Sequence, residues 1–252
     1  MKIIISPAKS LDFETALPTD HFTKSAFMKQ SRLLNKVIKQ KSPKDLSELM
    51  DISDNLAELN WKRNKTFKTP FTPQNARPAI FAFNGDVYQG LDAYSIPIDK
   101  LDALQSQLRI LSGLYGILKP LDLIQPYRLE MGTSLAFEDY KNLYDFWKTT
   151  LTESINKEMK KGELLINLAS KEYASAIDLK KLKATVITPE FKDYSNGKLK
   201  IISFFAKKAR GLMVRYIIDT NAETVEDLKD FDYEGYQLDH GLSVGEKLVF
   251  TR

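Results

Sequence analysis

The chain has 252 residues, 43% of them hydrophobic and 28% charged, and its 37 Lys and Arg against 33 Asp and Glu leave a formal charge of +4. It contains no cysteine and only two histidines, His21 and His240. This excludes disulfides, thiolate-held zinc or iron–sulfur sites and a cysteine nucleophile, and leaves any metal site to carboxylates, which suit Mg²⁺ or Ca²⁺. So small a positive surplus says little about a nucleic-acid partner unless the cations cluster.

The first expected element is a strand over Lys2–Ser6, rich in isoleucine and stopped by Pro7. Its apolar run is too short for a signal peptide, and no segment approaches the ~18 apolar residues of a membrane span. A cytoplasmic protein without a membrane partner is expected. Apolar spacing predicts helices from Thr23 to Gln40, from Pro43 to about Met50 with Ser42 as N-cap, and from Ser53 to Phe67. A strand over Ala79–Phe83 precedes a turn and short helix in Asn84-Gly85-Asp86-Val87-Tyr88-Gln89-Gly90-Leu91, followed by a helix from Pro97 to Ile110. Pro126–Gly132 reads as extended. Leu143–Met159 reads as a helix and Leu164–Ala169 as a strand, with Ser170 capping a short helix. Strands Ala184–Phe191 and Lys198–Phe204 are expected to pair across Asn196-Gly197, the strongest hairpin signal in the chain. Helices Phe205–Ile218 and Thr224–Lys229 and closing strands Gly235–Leu238 and Lys247–Thr251 complete the reading. Without a regular strand–helix–strand beat, a single α+β domain over residues 1–252 is expected, its mixed sheet including an antiparallel hairpin.

Three stretches stand out chemically. On a helix of about 100° per residue, Lys207, Lys208, Arg210, Gly211 and Arg215 share one arc, opposite an apolar arc of Phe205, Ala209, Leu212, Met213 and Tyr216. This is either a phosphate-binding face, with Gly211 admitting a phosphate backbone, or a solvated basic face. Leu111-Ser112-Gly113-Leu114-Tyr115-Gly116 resembles the hairpin of a helix-hairpin-helix DNA-binding motif, whose backbone N–H groups would meet phosphate. Its glycines stand three apart rather than two, and Pro120 and Pro126 leave little room for a second helix; a glycine turn joining core elements is the other reading. In the third stretch, Arg128 and Glu130 point to one side of an extended segment, as an ion pair or as part of a cleft. Lys9 is a loop cation just past the first strand. Nucleotide-loop, dinucleotide, serine-hydrolase and kinase signatures are all missing.

Ile5-Ser6-Pro7-Ala8-Lys9, Asn84–Leu91, Leu111 through Gly132, Asn167–Ser170 with Glu172-Tyr173, and Ile201 through Arg215 together resemble the YaaA family of bacterial peroxide-stress-resistance proteins. The resemblance runs in order from the first residue to the C-terminus. It implies a cytoplasmic single-domain α+β protein with a positively charged cleft and a helix-hairpin-helix-like element. It further implies binding of double-stranded DNA and protection during hydrogen peroxide stress, associated with lower free intracellular iron. Carried over, the hairpin falls on Gly113 and Gly116 and the cleft on Lys9, Arg128, Lys207, Lys208, Arg210 and Arg215, with Gly211 among them. No cofactor, metal or catalytic residue is expected. The competing expectation is an enzyme in which Lys9, Asp86, Arg128, Glu130 and Lys207 hold an anionic small molecule or nucleotide.

Overall fold

The computed structural model describes residues 1–252. Strand β1 (Lys2–Ile5) forms as expected, with Ile3, Ile4 and Ile5 fully buried. A short β2 (Ser10–Leu11) follows, and the first helical pattern yields α1 (Met28–Ile38). Helix α2 (Pro43–Met50) begins in a complete capping box: the Ser42 hydroxyl accepts from the Asp45 N–H at 3.2 Å and the Asp45 carboxylate accepts from the Ser42 N–H at 2.7 Å. Ser42→Ala is therefore expected to cost about 1 kcal/mol, read as a lower midpoint in urea at unchanged slope.

Helix α3 (Asp54–Thr66) packs against α2. After β3 (Arg77–Pro78), the strand expected over Ala79–Phe83 is instead a helical turn, α4 (Ala79–Ala82), leading to β4 (Phe83–Asn84). All five of those residues are buried, so no alternation exists to tell strand from helix. Helix α5 (Asp86–Leu91) comes next, and α6 (Leu101–Gln107) ends three residues before the expected Ile110. Leu108 already belongs to β5 (Leu108–Ser112), whose five residues are buried on both faces; β6 (Gly116–Leu118) and β7 (Leu123–Ile124) follow.

Helix α7 (Leu143–Glu158) and β8 (Leu164–Asn167) match their sequence patterns, and the Ser170 side chain caps α8 (Lys171–Ala174). The expected strand Ala184–Phe191 is two: β9 (Thr185–Ile187) and β10 (Glu190–Ser195). Only β10 pairs across Asn196-Gly197, with β11 (Lys198–Lys200), and α9 (Ser203–Thr220) starts at Ser203. Helix α10 (Val225–Lys229) has a second capping box on Thr224, and β12 (Gln237–Leu238) and β13 (Val249–Thr251) close the chain.

The larger sheet has the order β6-β5-β1-β8-β9. β1 runs parallel to both β5 and β8, β8 is parallel to β9, and only β5–β6 is antiparallel. Strands buried on both faces belong at the centre of such a sheet, which is where three consecutive isoleucines place β1. The smaller sheet, β11-β10-β13-β12, carries the Asn-Gly hairpin. One continuous core of 66 apolar residues includes members of both sheets and of α9. No helix is long and apolar enough to cross a membrane.

The order of the large sheet matters for function. The chain leaves β1 for β5 on one side and later adds β8 on the other. In open sheets, ligands collect outside the carboxyl ends of parallel strands where the order changes direction.

Candidate functional site

A cleft of about 440 Å³ opens at that position. Its floor is made by Ser6, just past β1, and Ser170, just past β8. The Ser170 N–H donates to the Ser6 hydroxyl at 2.9 Å, which ties the two strand ends together. One wall is Asn84, Gly85 and the first turn of α5, with Asp86, Val87 and Tyr88; the Tyr88 hydroxyl donates to the Ser6 carbonyl at 3.1 Å. Lys207 and Arg210 enter from α9, and Glu130, Glu172 and Tyr173 complete the rim. Every lining residue except Ser10 comes from the five segments that carry the family resemblance.

The charges in the cleft are balanced. Three cations, Lys9, Lys207 and Arg210, face three carboxylates, Asp86, Glu130 and Glu172. Lys9 pairs with Glu130 at 2.7 Å, and the other oxygen of Glu130 accepts from Arg128 at 3.0 Å. Arg128 and Glu130 thus form an ion pair of which only Glu130 lines the cleft, and the Nε of Arg128 is buried without a partner. Lys207 stands 3.9 Å from Asp86, and Glu172 Oε1 accepts from the Gly132 N–H at 2.9 Å. Arg210 alone has no ion pair and no hydrogen bond, although it is half-buried, and burial pulls its pKa below the usual arginine value. Burial likewise pushes the Tyr173 and Tyr88 phenols up, so both remain protonated donors.

The structure separates the residues that the helical wheel grouped. Lys207 and Arg210 reach the cleft, whereas Lys208 is paired with Glu234 at 2.5 Å on another side of α9. Arg215 binds the Asp219 carboxylate at 2.8 Å and the Ser95 hydroxyl at 2.6 Å, as a strut between α9 and the segment after α5. Gly211 admits no phosphate. It is buried against α5, where a Cβ would stand 1.8 Å from the Val87 carbonyl oxygen. The wheel gave correct angles but could not show that α5 covers that arc.

Gly113 and Gly116 are likewise corrected. They bound the turn of the β5–β6 hairpin, between strands rather than helices, and both are buried. The Trp147 indole donates to the Gly113 carbonyl at 2.9 Å; a Cβ on Gly113 would meet the Leu129 carbonyl at 2.3 Å, and one on Gly116, at φ +72°, would meet the Trp147 ring at 2.7 Å. The core residues around this turn leave no room for a phosphate.

Sequence reasoning missed a second surface. Arg32 and Lys36 of α1 and Lys39 just past its end stand beside Lys65 of α3; all four are exposed and none has a carboxylate partner. They line a shallow groove of about 500 Å³ with Asn35, Gln40, Phe67 and Thr69, and no acid enters it. Lys24 extends the surface through an adjoining groove that shares Arg32 and Thr69. The signal was present in the chain. Residues 21–44 and 59–85 contain no Asp or Glu but twelve of the 37 Lys and Arg, so the rest of the chain is net negative. A global charge of +4 conceals this polarity.

A family model described as peroxide stress protein YaaA matches residues 1–242. A UPF0246 protein of Flavobacterium johnsoniae is 68% identical over the whole of both chains, and one of Flavobacterium psychrophilum is 67% identical, also over both whole chains. A UPF0246 protein of Hahella chejuensis is 54% identical over all of this chain and 99% of its own.

Proposed function

The chain belongs to the family of peroxide stress protein YaaA, and from that premise we propose that it acts in the cytoplasm during peroxide stress by binding duplex DNA through its phosphates. The observation that carries this reading is the carboxylate-free groove of Arg32, Lys36, Lys39 and Lys65. Duplex DNA carries one charge per ~1.7 Å of its axis, and cations gain affinity by releasing its condensed counterions. That gain needs cations unneutralised by their own protein, which describes the α1–α3 groove and not the charge-balanced cleft. Of the residues named from sequence, Lys9, Lys207 and Arg210 lie in the cleft, and this reading leaves them outside the duplex surface.

The groove is shallow, and of its two amide side chains Asn35 is buried and donates to the Asn64 carbonyl at 3.3 Å, which leaves Gln40 beside the cations. Flexible lysines around a shallow surface meet phosphates without reporting sequence. We place the link to lower free intracellular iron downstream of DNA binding. No group of three or more His, Cys, Asp or Glu side chains stands close enough to hold a metal ion.

The test is titration of the full-length protein with two duplexes of unrelated sequence at low and at moderate salt. Equal affinities for the two, falling together as salt rises, are expected. A strong preference for one duplex, or no binding at low salt, would overturn the proposal.

A further inference from the structure

The cleft at the carboxyl ends of β1 and β8 remains, and one of its members carries an unbalanced charge. Arg210 is drawn half out of water from α9, with no carboxylate, carbonyl or hydroxyl to receive its five N–H groups. It also lines a second cavity with Lys148, Lys171 and Lys180 against one carboxylate, Asp178, so the charges there are mostly of like sign. A charged group taken from water without a partner costs free energy that a bound anion returns. The guanidinium's planar fork matches two oxygens of a phosphate or carboxylate.

The rest of the cleft asks for the opposite kind of group. Glu172 uses one oxygen on the Gly132 N–H, and its second has no partner. Asp86 meets Lys207 with one oxygen at 3.9 Å, and its other oxygen is open. Ionised carboxylates only accept, so a ligand must bring donors such as hydroxyls to satisfy them. Tyr88 and Tyr173, both buried to more than nine-tenths, line the same cleft.

We propose that the cleft is a binding site for a small phosphomonoester carrying sugar hydroxyls, of the nucleoside monophosphate class, with its phosphate on Arg210 and its hydroxyls toward Glu172 and Asp86. An acidic residue receiving sugar hydroxyls at the carboxyl end of a parallel sheet is a recurring solution in nucleotide-binding folds. A volume of about 440 Å³ holds a mononucleotide. A duplex backbone laid in the same place would run its phosphates against three carboxylates. This site is independent of the α1–α3 groove, so either proposal can fail alone.

Calorimetric titration of the full-length protein with adenosine 5′-monophosphate tests it, with adenosine, ribose 5-phosphate and inorganic phosphate as further probes. Saturable one-to-one binding of the monophosphate is expected, with adenosine at least about ten-fold weaker because it lacks the charge-assisted contact. Arg210→Gln should weaken the monophosphate at least about ten-fold, and Arg210→Lys by less, since a point charge replaces the fork only in part. Glu172→Gln should weaken the monophosphate and leave inorganic phosphate unchanged. Because Arg210 holds no partner in the fold, Arg210→Gln should keep the wild-type Tm and the wild-type affinity for duplex DNA. No heat from the monophosphate at millimolar concentration would overturn the proposal. So would equal binding by Arg210→Gln, displacement of the monophosphate by duplex DNA, or a large Tm loss in Arg210→Gln, which would make the arginine a structural one.

Discussion

Replacing Arg32, Lys36, Lys39 and Lys65 together by glutamine is expected to remove most of the salt dependence of duplex binding. Each phosphate contact contributes about 0.9 to the slope of log affinity against log salt, so four contacts make affinity fall roughly a hundred-fold between about 50 and about 200 mM salt. The quadruple variant should lose most of that range and bind weakly at every salt concentration. Its fold should be intact, because the four side chains are exposed and have no carboxylate partner, only Lys65 standing over a ring, that of Trp61 at 5.5 Å, and exposed substitutions away from special features change stability by about 0.5 kcal/mol or less. Single replacements should each lower the slope by about one contact, whatever the duplex sequence. Lys208→Gln is the control: Lys208 is already neutralised by Glu234, so its loss should leave the slope unchanged. Salt-dependent titrations of the wild type, the quadruple variant, the four single variants and Lys208→Gln decide the matter. A quadruple variant with the wild-type slope would remove the α1–α3 groove from the interface.

The contrast between these lysines and those of α9 shows which parts of the molecule were legible in the chain. Elements fixed by near neighbours could be read directly. Ser42 and Asp45 cap α2 across three residues, Asn196-Gly197 turns the hairpin in two, and Leu143–Glu158 has both its cap and its apolar face in one segment. Elements fixed by distant partners could not. β1 is parallel to β5 and β8 through residues more than a hundred positions away, and nothing within Ile3-Ile4-Ile5 specifies those neighbours. Ala79–Phe83 is wholly apolar and buried, so it lacks the polar punctuation that separates helix from strand, and in Leu108–Ser112 the polar Arg109 and Ser112 are themselves buried.

The same reason explains the site. Lys9, Asp86, Glu130, Lys207 and Arg210 were named from sequence as cleft candidates, but Glu172 was not given a place in the cleft, and the sheet order is what shows which of the candidates meet. Family resemblance implied a positively charged cleft that includes Lys9, Lys207 and Arg210, without the carboxylates Asp86, Glu130 and Glu172 that line it with them. It also carried over a hairpin role that Gly113 and Gly116 do not fill, since a two-glycine turn reads the same whether it faces solvent or Trp147. The basic groove was legible from the sequence in principle. The acid-free runs are visible by inspection, but the eye goes to dense cationic clusters such as Lys207-Lys208, and there the structure supplies Asp86 and Glu234.

Gly211→Ala is expected to be among the most destabilising small substitutions in the chain. Helices α5 and α9 cross with two glycines facing each other's backbone. A Cβ on Gly211 would lie 1.8 Å from the Val87 carbonyl oxygen and 2.7 Å from the Leu91 nitrogen; a Cβ on Gly90 would lie 2.1 Å from the Lys208 carbonyl oxygen. Backbone atoms cannot rotate aside as a side chain can, so the helices must separate, and with them the buried residues on both. Overpacking of this kind costs about 3 kcal/mol or more, and in a chain of this length each kcal/mol lowers Tm by roughly 2–4 °C. Gly90→Ala should behave alike, and the double variant should fall well short of the sum, because one wedge already opens the crossing the other needs. Function separates accordingly. α5 brings Asp86 and Tyr88 to the cleft and α9 brings Lys207 and Arg210, so a wedge between them should weaken mononucleotide binding. The α1–α3 groove lies on other elements, so duplex affinity at a temperature where the variant is folded should stay as in the wild type. Thermal melts of the two single variants and the double, with both titrations on Gly211→Ala, test this account. A neutral Gly211→Ala, or strict additivity with Gly90→Ala, would mean that the two glycines do not set the helix crossing.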